Sequence, residues 1–106
     1  MPQAGEIAVI FASQRNDADE AGYGRAAQAM ETLAARQPGY CGIVSSRGAD
    51  GFGITISYWA DEAAALAWRD HPEHIGIRDA GRAVWYDSYQ VIVSQISRAY
   101  DWRRGE

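Results

Sequence analysis

The residues best suited to chemistry lie in one stretch, AWRDHPEHIGIRDAGRAVWYDSY, which runs from Ala67 to Tyr89. It contains both histidines of the chain and two of its four tryptophans: Trp68, His71, His74 and Trp85. An imidazole titrates near neutral pH, so it can transfer a proton or ligate a metal or a heme iron. Indole rings can form the wall of an aromatic pocket or simply pack in a core.

A shared metal site for the two histidines is not favoured. His71 and His74 are three residues apart and would lie on one face of a continuous helix. Pro72 disfavours helical geometry at the residue before it, so we predict that His71 lies in a break and that Pro72 begins a new helix. Neither histidine has a cysteine or a carboxylate four residues further on that would complete a ligand set.

The helix that begins at Pro72 places His74 at the edge of its apolar face. A projection at about 100° per residue puts Arg78 just beyond that edge. The apolar face itself consists of Ile77, Ala80, Gly81 and Val84. Near a helix N-terminus the charged imidazolium is disfavoured, so a neutral His74 could be a base, a hydrogen-bond donor or a ligand. A half-buried histidine that only caps the helix is the alternative.

Size and composition indicate one ordinary globular domain over residues 1–106. The net charge is −4 and the ten basic residues, all arginine, are scattered, which argues against nucleic-acid binding. No apolar run approaches the roughly 20 residues that span a bilayer, and the N-terminus lacks the pattern of a signal peptide. The single cysteine, Cys41, cannot form an internal disulfide, so we expect a cytoplasmic protein in which it is a small buried residue.

Hydrophobic patterns predict an α+β domain with a ferredoxin-like βαββαβ order, an antiparallel sheet and its helices on one face. The first helix follows the capping residues Asn16, Asp17 and Asp19 and ends at Pro38-Gly39. The second-half helical region begins with Glu62–Arg69. The predicted strands are Glu6–Arg15, Tyr40–Arg47, Phe52–Trp59 and Ser88–Ile96, with an Asp-Gly hairpin turn between the middle two.

The first and third strands are apolar on both faces, which predicts a homodimer. In the first strand, Ile7 and Val9 alternate with Ala8 and Ile10. A sheet with two apolar faces needs a cover on each, and the helices can cover only one. We therefore expect a partner subunit on the other face, with the aromatic tail Ile96–Trp102 crossing onto that partner.

The second half of the chain, SYWADEAAALAWRDHPEHIGIRDAGRAVWYDSYQVIVSQISRAYDW, resembles the antibiotic biosynthesis monooxygenase (ABM) family of dimeric α+β barrel proteins. The resemblance rests on the pattern Tyr58-Trp59, Trp68, His71-Pro72-Glu73-His74, Gly81-Arg82, Trp85-Tyr86, Tyr89 and Arg98-x-Tyr100-x-Trp102. It implies a homodimer whose sheets pack face to face and which handles a small aromatic molecule, with no nucleic acid or membrane as a partner.

Two branches of the family imply different chemistry. The heme-degrading branch uses an asparagine in the first strand, a tryptophan, and a histidine about ten residues after it. Trp68 matches the tryptophan, but Ser13 or Gln14 stands at the asparagine position and Arg78 at the histidine position. His74 could ligate heme only in a different helix register. The other branch oxidises quinol-type aromatics with O2 and needs no cofactor.

The resemblance and the spacing together suggest a cofactor-independent monooxygenase. In this hypothesis Trp68 is an aromatic wall, His74 a neutral base and Arg78 a cation for a developing oxyanion. The residues expected to contact substrate are Tyr58, Trp59, Gly81 and Trp85. A heme-binding or heme-degrading protein and a non-catalytic ligand-binding dimer are the alternatives.

Overall fold

A computed structural model describes residues 2–105 and confirms the ferredoxin-like α+β fold. The strands form one antiparallel sheet in the order β2-β3-β1-β4. The strands are β1 (Ile7–Arg15), β2 (Tyr40–Arg47), β3 (Phe52–Trp59) and β4 (Tyr86–Gln95). The helices are α1 (Glu20–Ala35), α2 (Glu62–Arg69) and α3 (Pro72–Ala80), and α3 continues directly into a π-helical turn, Gly81–Trp85.

Local capping and turn chemistry set the element boundaries as the sequence indicates. The carboxylate of Asp61 accepts the backbone N–H of Ala64 at 2.8 Å and so begins α2. In the β2–β3 hairpin, Asp50 accepts the N–H of Phe52 at 3.1 Å. Gly51 has φ 89°, and a Cβ there would lie 2.7 Å from the carbonyl oxygen of Arg15. Glycine is therefore required at this turn position.

The hydrophobic core lies between the helices and one end of the sheet. Ile7 on β1 is paired with Trp59 on β3, so both side chains point to the same face. The buried core residues are Ile7, Ala34, Trp59, Ala65 and Trp68. Trp59 is 0% exposed, and its indole N–H donates to the hydroxyl of Ser57 at 2.9 Å. The one polar group of this buried indole is thus hydrogen-bonded, as is usual for a tryptophan in a core.

The junction between α3 and β4 differs from the sequence prediction. The π-helical turn carries the chain to Trp85, and β4 begins at Tyr86 rather than at Ser88. Asn16 fixes this junction because its side-chain amide donates to the carbonyl of Val84 at 2.8 Å and its backbone N–H donates to that of Trp85 at 3.0 Å. These contacts join residues far apart in sequence, so a local 3.6-residue periodicity cannot reveal them.

The sheet face away from the core carries large apolar side chains that no helix in residues 2–105 covers. Val44, Phe52, Ile54 and Ile92 on this face are 42–54% exposed. By strand register they share it with Ile10 and Ile56. We call the side of the sheet that carries these six residues the open sheet face. An apolar surface of this kind on a small protein marks an interaction site.

His71 caps α3, and this contact predicts a measurable cost for its removal. Its Nδ1 accepts the backbone N–H of Glu73 at 3.2 Å, in the position that an N-cap side chain occupies. His71→Ala is therefore expected to lower the free energy of unfolding by about 0.5–2 kcal/mol, whereas His71→Asn should keep most of it. Chemical denaturation of the three proteins measures the difference. Equal stability of the wild type and the alanine variant would show that the cap contributes nothing.

Candidate active site

His74 lies at the end of a stack of three aromatic rings. Its imidazole is nearly parallel to the Trp68 indole, with ring centroids 4.2 Å apart and an interplanar angle of 17°. Trp68 in turn stacks on Trp59 at 5.6 Å and 24°. Since Trp59 and Trp68 are buried in the core, the stack gives the half-buried His74 a rigid support. A side chain held in this way is suited to precise chemistry.

The hydrogen bond of His74 determines which ring nitrogen carries the proton. Nδ1 lies 2.7 Å from the backbone carbonyl oxygen of Trp68. A carbonyl oxygen can only accept, so Nδ1 must be the donor and must be protonated. In the neutral imidazole the lone pair is then on Nε2, for which residues 2–105 provide no hydrogen-bond partner. His74 therefore presents an available basic nitrogen.

The surroundings of His74 keep its imidazole neutral. Burial lowers the pKa of His74, and electrostatic interactions with Arg78 and His71 lower it further. The hydrogen bond to the Trp68 carbonyl acts in the opposite direction but does not reverse the net decrease. Nε2 thus remains unprotonated at neutral pH.

The lowered pKa of His74 predicts the pH dependence of any reaction that uses it as a base. The acid limb of kcat/KM is expected below about pH 6.5, the ordinary value for histidine. The same shift means that the unfolded chain binds more protons than the folded chain in acid. Its contribution to stability is therefore present above about pH 6.5 and is lost as the pH falls through the folded pKa. An acid limb that lies above the ordinary value would contradict this account.

An apolar floor extends away from the His74 stack along the helix-side face of β1 and β4. It consists of Val9 and Phe11 on β1 and their register partners Val93 and Val91 on β4. Val91 and Val93 are 50% and 52% exposed, so the helices do not cover this part of the sheet. Val9 packs against the core cluster that contains Trp59 and Trp68, so this flat apolar surface, which suits an aromatic ligand, begins next to the aromatic stack.

A second group of aromatic rings lies at the other end of this floor. Phe11 contacts Tyr86 and Tyr89, with ring centroids 5.3 Å and 5.1 Å away. Tyr23 from α1 meets Trp85 and Tyr86 edge to face at 5.9 Å and 6.1 Å. The floor therefore has aromatic groups at both ends, and only the end at Trp68 carries the histidine.

The structure brings some of the residues predicted for the site together and separates others. Trp68 and His74 are in contact, Trp59 lies beneath them, and Arg78 follows His74 by one helical turn. Tyr58 is on the open sheet face, opposite to Trp59. Gly81 and Trp85 belong to the second aromatic group. A Cβ at Gly81 would lie 2.7 Å from the Tyr86 ring, so the glycine makes room for that ring.

Sequence reasoning missed the floor and most of the second aromatic group. Phe11, Val91 and Val93 read as ordinary strand residues, and only the pairing of β1 with β4 shows that they share a face. Tyr23 contacts Trp85 and Tyr86 across the domain, and these contacts have no signal in the local sequence of α1. The alternation of Val91 and Val93 on an edge strand is the one local signal that could have identified the floor.

The residues at the positions used by the heme-degrading branch do not fit heme cleavage. Ser13, at one candidate asparagine position, is buried, and its hydroxyl accepts a hydrogen bond from Arg47 at 2.8 Å. Gln14 alternates with Ser13 along β1 and so points to the face away from Trp68. Arg78, at the histidine position, cannot be an axial ligand because its guanidinium has no available lone pair.

Two other kinds of site are not found within residues 2–105. No group of three or more histidine, cysteine, aspartate or glutamate side chains is arranged to hold a metal ion in that range. Over the same residues no helix is long and apolar enough to cross a membrane. His71 and His74 also have separate roles, since one caps α3 and the other stacks on Trp68.

Comparisons with known structures support the fold. SnoaB, a cofactor-independent oxygenase from Streptomyces nogalater, superimposes with a TM-score of 0.74 at 19% identity, covering 97% of this chain and 100% of that one. Rv0793 from Mycobacterium tuberculosis gives a TM-score of 0.73 at 15% identity, over 95% of this chain and 99% of its own. At these identities the likeness concerns the fold.

Sequence comparisons establish the family. The chain is 47% identical over 97 residues to the protein YqjZ of Bacillus subtilis strain 168, which covers 92% of this chain and 84% of YqjZ. The family model described as antibiotic biosynthesis monooxygenase matches residues 7–80, a range that includes the first strand, Trp68 and His74. The chain therefore belongs to the antibiotic biosynthesis monooxygenase family.

Proposed function

We propose that this protein is a monooxygenase that oxidises an electron-rich aromatic, of the anthrone or quinol type, with O2 and without a cofactor. The observation that carries the proposal is the available Nε2 of His74, held by an aromatic stack whose tryptophans pack against Val9 of the apolar floor. Family membership supports an oxygenase, and SnoaB, which shares the fold, is a cofactor-independent oxygenase. Such a reaction needs a base and an apolar surface that positions the substrate, because the substrate itself supplies the electrons.

The proposed reaction begins with proton transfer to His74. Nε2 removes a proton from the substrate, for example from the CH2 group of an anthrone, and gives an electron-rich carbanion. The carbanion transfers an electron to O2, and the two radicals combine to form a peroxide at that carbon. Loss of water from the peroxide breaks the O–O bond and leaves a carbonyl. One oxygen atom thus enters the product, the other leaves as water, and the CH2 group is the sole reductant.

Trp68 and Arg78 are proposed to assist His74. The Trp68 carbonyl fixes the tautomer and its indole fixes the plane of the ring. Among residues 2–105, Arg78 forms an ion pair only with the adjacent Asp79, at 3.4 Å in a partly exposed position, and such a pair is weak. Its guanidinium can therefore turn towards an oxyanion on the substrate. The proposed substrate contact at the far end of the floor is Trp85. Trp59 and Gly81 are proposed to support the site without touching substrate, Trp59 through the stack and Gly81 by making room for the Tyr86 ring.

We propose a cytoplasmic homodimer, with residues 1–106 as one domain and the open sheet face as the interface. The proposal is supported by the exposed apolar side chains of Val44, Phe52, Ile54 and Ile92. Tyr58 lies on this face as well, so it would contact the partner rather than the floor. The tail beyond β4 carries Tyr100 and Trp102, 87% and 74% exposed, and we expect the partner to bury them.

Oxygen uptake with a panel of anthrones and hydroquinones tests the proposed reaction. The expected result is substrate-dependent uptake by protein that has been treated with a chelator. Ligand binding without oxygen uptake across the panel would instead indicate a non-catalytic binding protein.

One observation favours a heme-binding alternative. A metal-ligating histidine usually donates its other ring N–H to a carbonyl or carboxylate, as Nδ1 of His74 does to Trp68. A hemin titration distinguishes the two functions. A Soret band that is lost in His74→Ala would favour heme binding, and the cofactor-independent proposal predicts no stoichiometric band.

A further inference from the structure

Two arginines converge on Tyr23 at the end of the floor away from His74. The Arg15 guanidinium lies over the Tyr23 ring, 3.9 Å from its centroid, and that of Arg47 lies 5.5 Å away. Both positive charges act on Tyr86, whose pKa they lower, although burial raises it more strongly. We call Arg15, Tyr23, Arg47 and Tyr86 the arginine–tyrosine cluster. No carboxylate within residues 2–105 forms an ion pair with either arginine.

Arg47 has a structural explanation. Its side chain passes across β3 above Gly53, where a Cβ would lie 2.7 Å from the guanidinium carbon. One terminal nitrogen donates to the Ser13 hydroxyl at 2.8 Å and to the Tyr23 hydroxyl at 3.2 Å, and the other donates to the carbonyls of Ser13 and Gly51. Arg47, on β2, therefore joins β1, the β2–β3 turn and α1, and it orients the Tyr23 hydroxyl.

Arg15 does not have such a complete set of partners. One terminal nitrogen donates to the carbonyl of Ala18 at 3.2 Å. Its Nε is buried and has no hydrogen-bond partner within the described chain. A partly buried cation with an unused donor is costly unless an anion compensates it. The cluster therefore has a surplus of positive charge and hydrogen-bond donors.

The opposite end of the floor has the opposite charge. An open groove of about 290 Å³ there is lined by the carboxylates Asp61 and Glu62, next to Ile7 and Val93. Ile7 and Ser13 are six residues apart on β1, which separates the acidic end from the arginine end by about 20 Å. An anionic ligand on the floor would thus be repelled at one end and attracted at the other.

We propose that the arginine–tyrosine cluster binds a carboxylate on the aromatic substrate. Arg15 supplies the positive charge, and the Tyr23 hydroxyl, which accepts a hydrogen bond from Arg47, supplies a further donor. This contact sets the substrate's direction on the floor, so that the ring to be oxidised lies towards His74. The inference rests on the proposed function for the identity of the ligand as a substrate. The preference of the site for a carboxylate can be measured without any turnover.

Binding of two matched probes tests the carboxylate site. Anthraquinone-2-carboxylate and anthraquinone-2-carboxamide have the same ring system and differ in charge. The wild type is expected to bind the acid at least about tenfold more tightly, as a charge-assisted hydrogen bond implies. Arg15→Gln should remove this preference and leave the affinity for the amide unchanged. Quenching of tryptophan fluorescence measures both affinities.

Matched controls separate charge, folding and chemistry. Arg25→Gln removes the same charge from an exposed position on α1 and should keep the preference. Circular dichroism verifies that Arg15→Gln is folded, and unchanged amide binding verifies an intact floor.

Equal affinity of the wild type for acid and amide, or a preference that survives in Arg15→Gln, would overturn the proposal. The preference should also survive in His74→Ala. If it persists when no anthrone supports oxygen uptake, the proposed function fails and the carboxylate site stands.

Discussion

His74→Ala is expected to lower kcat/KM for oxygen uptake by about 10²- to 10⁴-fold, the usual contribution of a general base. The loss follows from the geometry of the imidazole, whose Nδ1 proton is committed to the Trp68 carbonyl and whose Nε2 is the available base. The proposed substrate contacts lie mainly on the floor and at its far end, so ligand affinity should change much less than the rate. Oxygen-electrode kinetics and a separate binding titration measure the two effects.

His71→Asn is the matched control for the loss of His74. It removes the other imidazole and keeps a side chain that can cap α3. Its kcat/KM should therefore stay close to that of the wild type. Equal rates for wild type and His74→Ala would contradict the role of His74 as a base. A similar loss in the His71 variant would indicate that the effect arises from damage to α3.

Ile54→Asp is expected to convert the proposed homodimer into a monomer. Ile54 lies on the open sheet face and is 42% exposed, so the proposed interface would bury a carboxylate from each subunit. Burying an unpaired charge costs several kcal/mol, which is enough to reduce dimer affinity by more than about a thousandfold. Light scattering should show the wild type at twice the chain mass of 11.6 kDa and the variant at that mass.

Leu66→Asp provides the control for the added charge. Leu66 is an exposed apolar residue on α2, away from the open sheet face. This variant should remain dimeric. A monomeric wild type, or an Ile54→Asp variant that still dimerises, would show that the open sheet face is not the interface.

The fold could be predicted because each of its elements has a local signal. Asp61 marks the start of α2, Asp50-Gly51 marks the hairpin, and Pro72 separates α3 from the preceding turn. The junction after α3 could not be predicted, since Asn16 holds it through contacts with Val84 and Trp85. An amphipathic projection assumes 3.6 residues per turn and does not apply to a π-helical turn.

Sequence reasoning could identify only part of the candidate site, because many of its contacts also join residues that are far apart in the chain. Trp68 and His74 are only six residues apart and lie on successive helices, so the sequence alone could suggest that both belong to one active site. Tyr23 and Arg47 are separated by 24 residues and meet only because Gly53 lets the Arg47 side chain cross the sheet. Such contacts depend on strand pairing and side-chain reach, which a single sequence does not specify.

Oxygen-isotope labelling tests the central claim, that this chain oxidises an aromatic substrate with O2 and no cofactor. Metal- and heme-free protein is mixed with an active anthrone under ¹⁸O2, and the product and the oxygen consumed are quantified. The account predicts one ¹⁸O atom in each quinone, one O2 consumed per substrate, and loss of the accelerated reaction in His74→Ala. A product oxygen derived from water, or a reaction that requires added heme or metal, would contradict it.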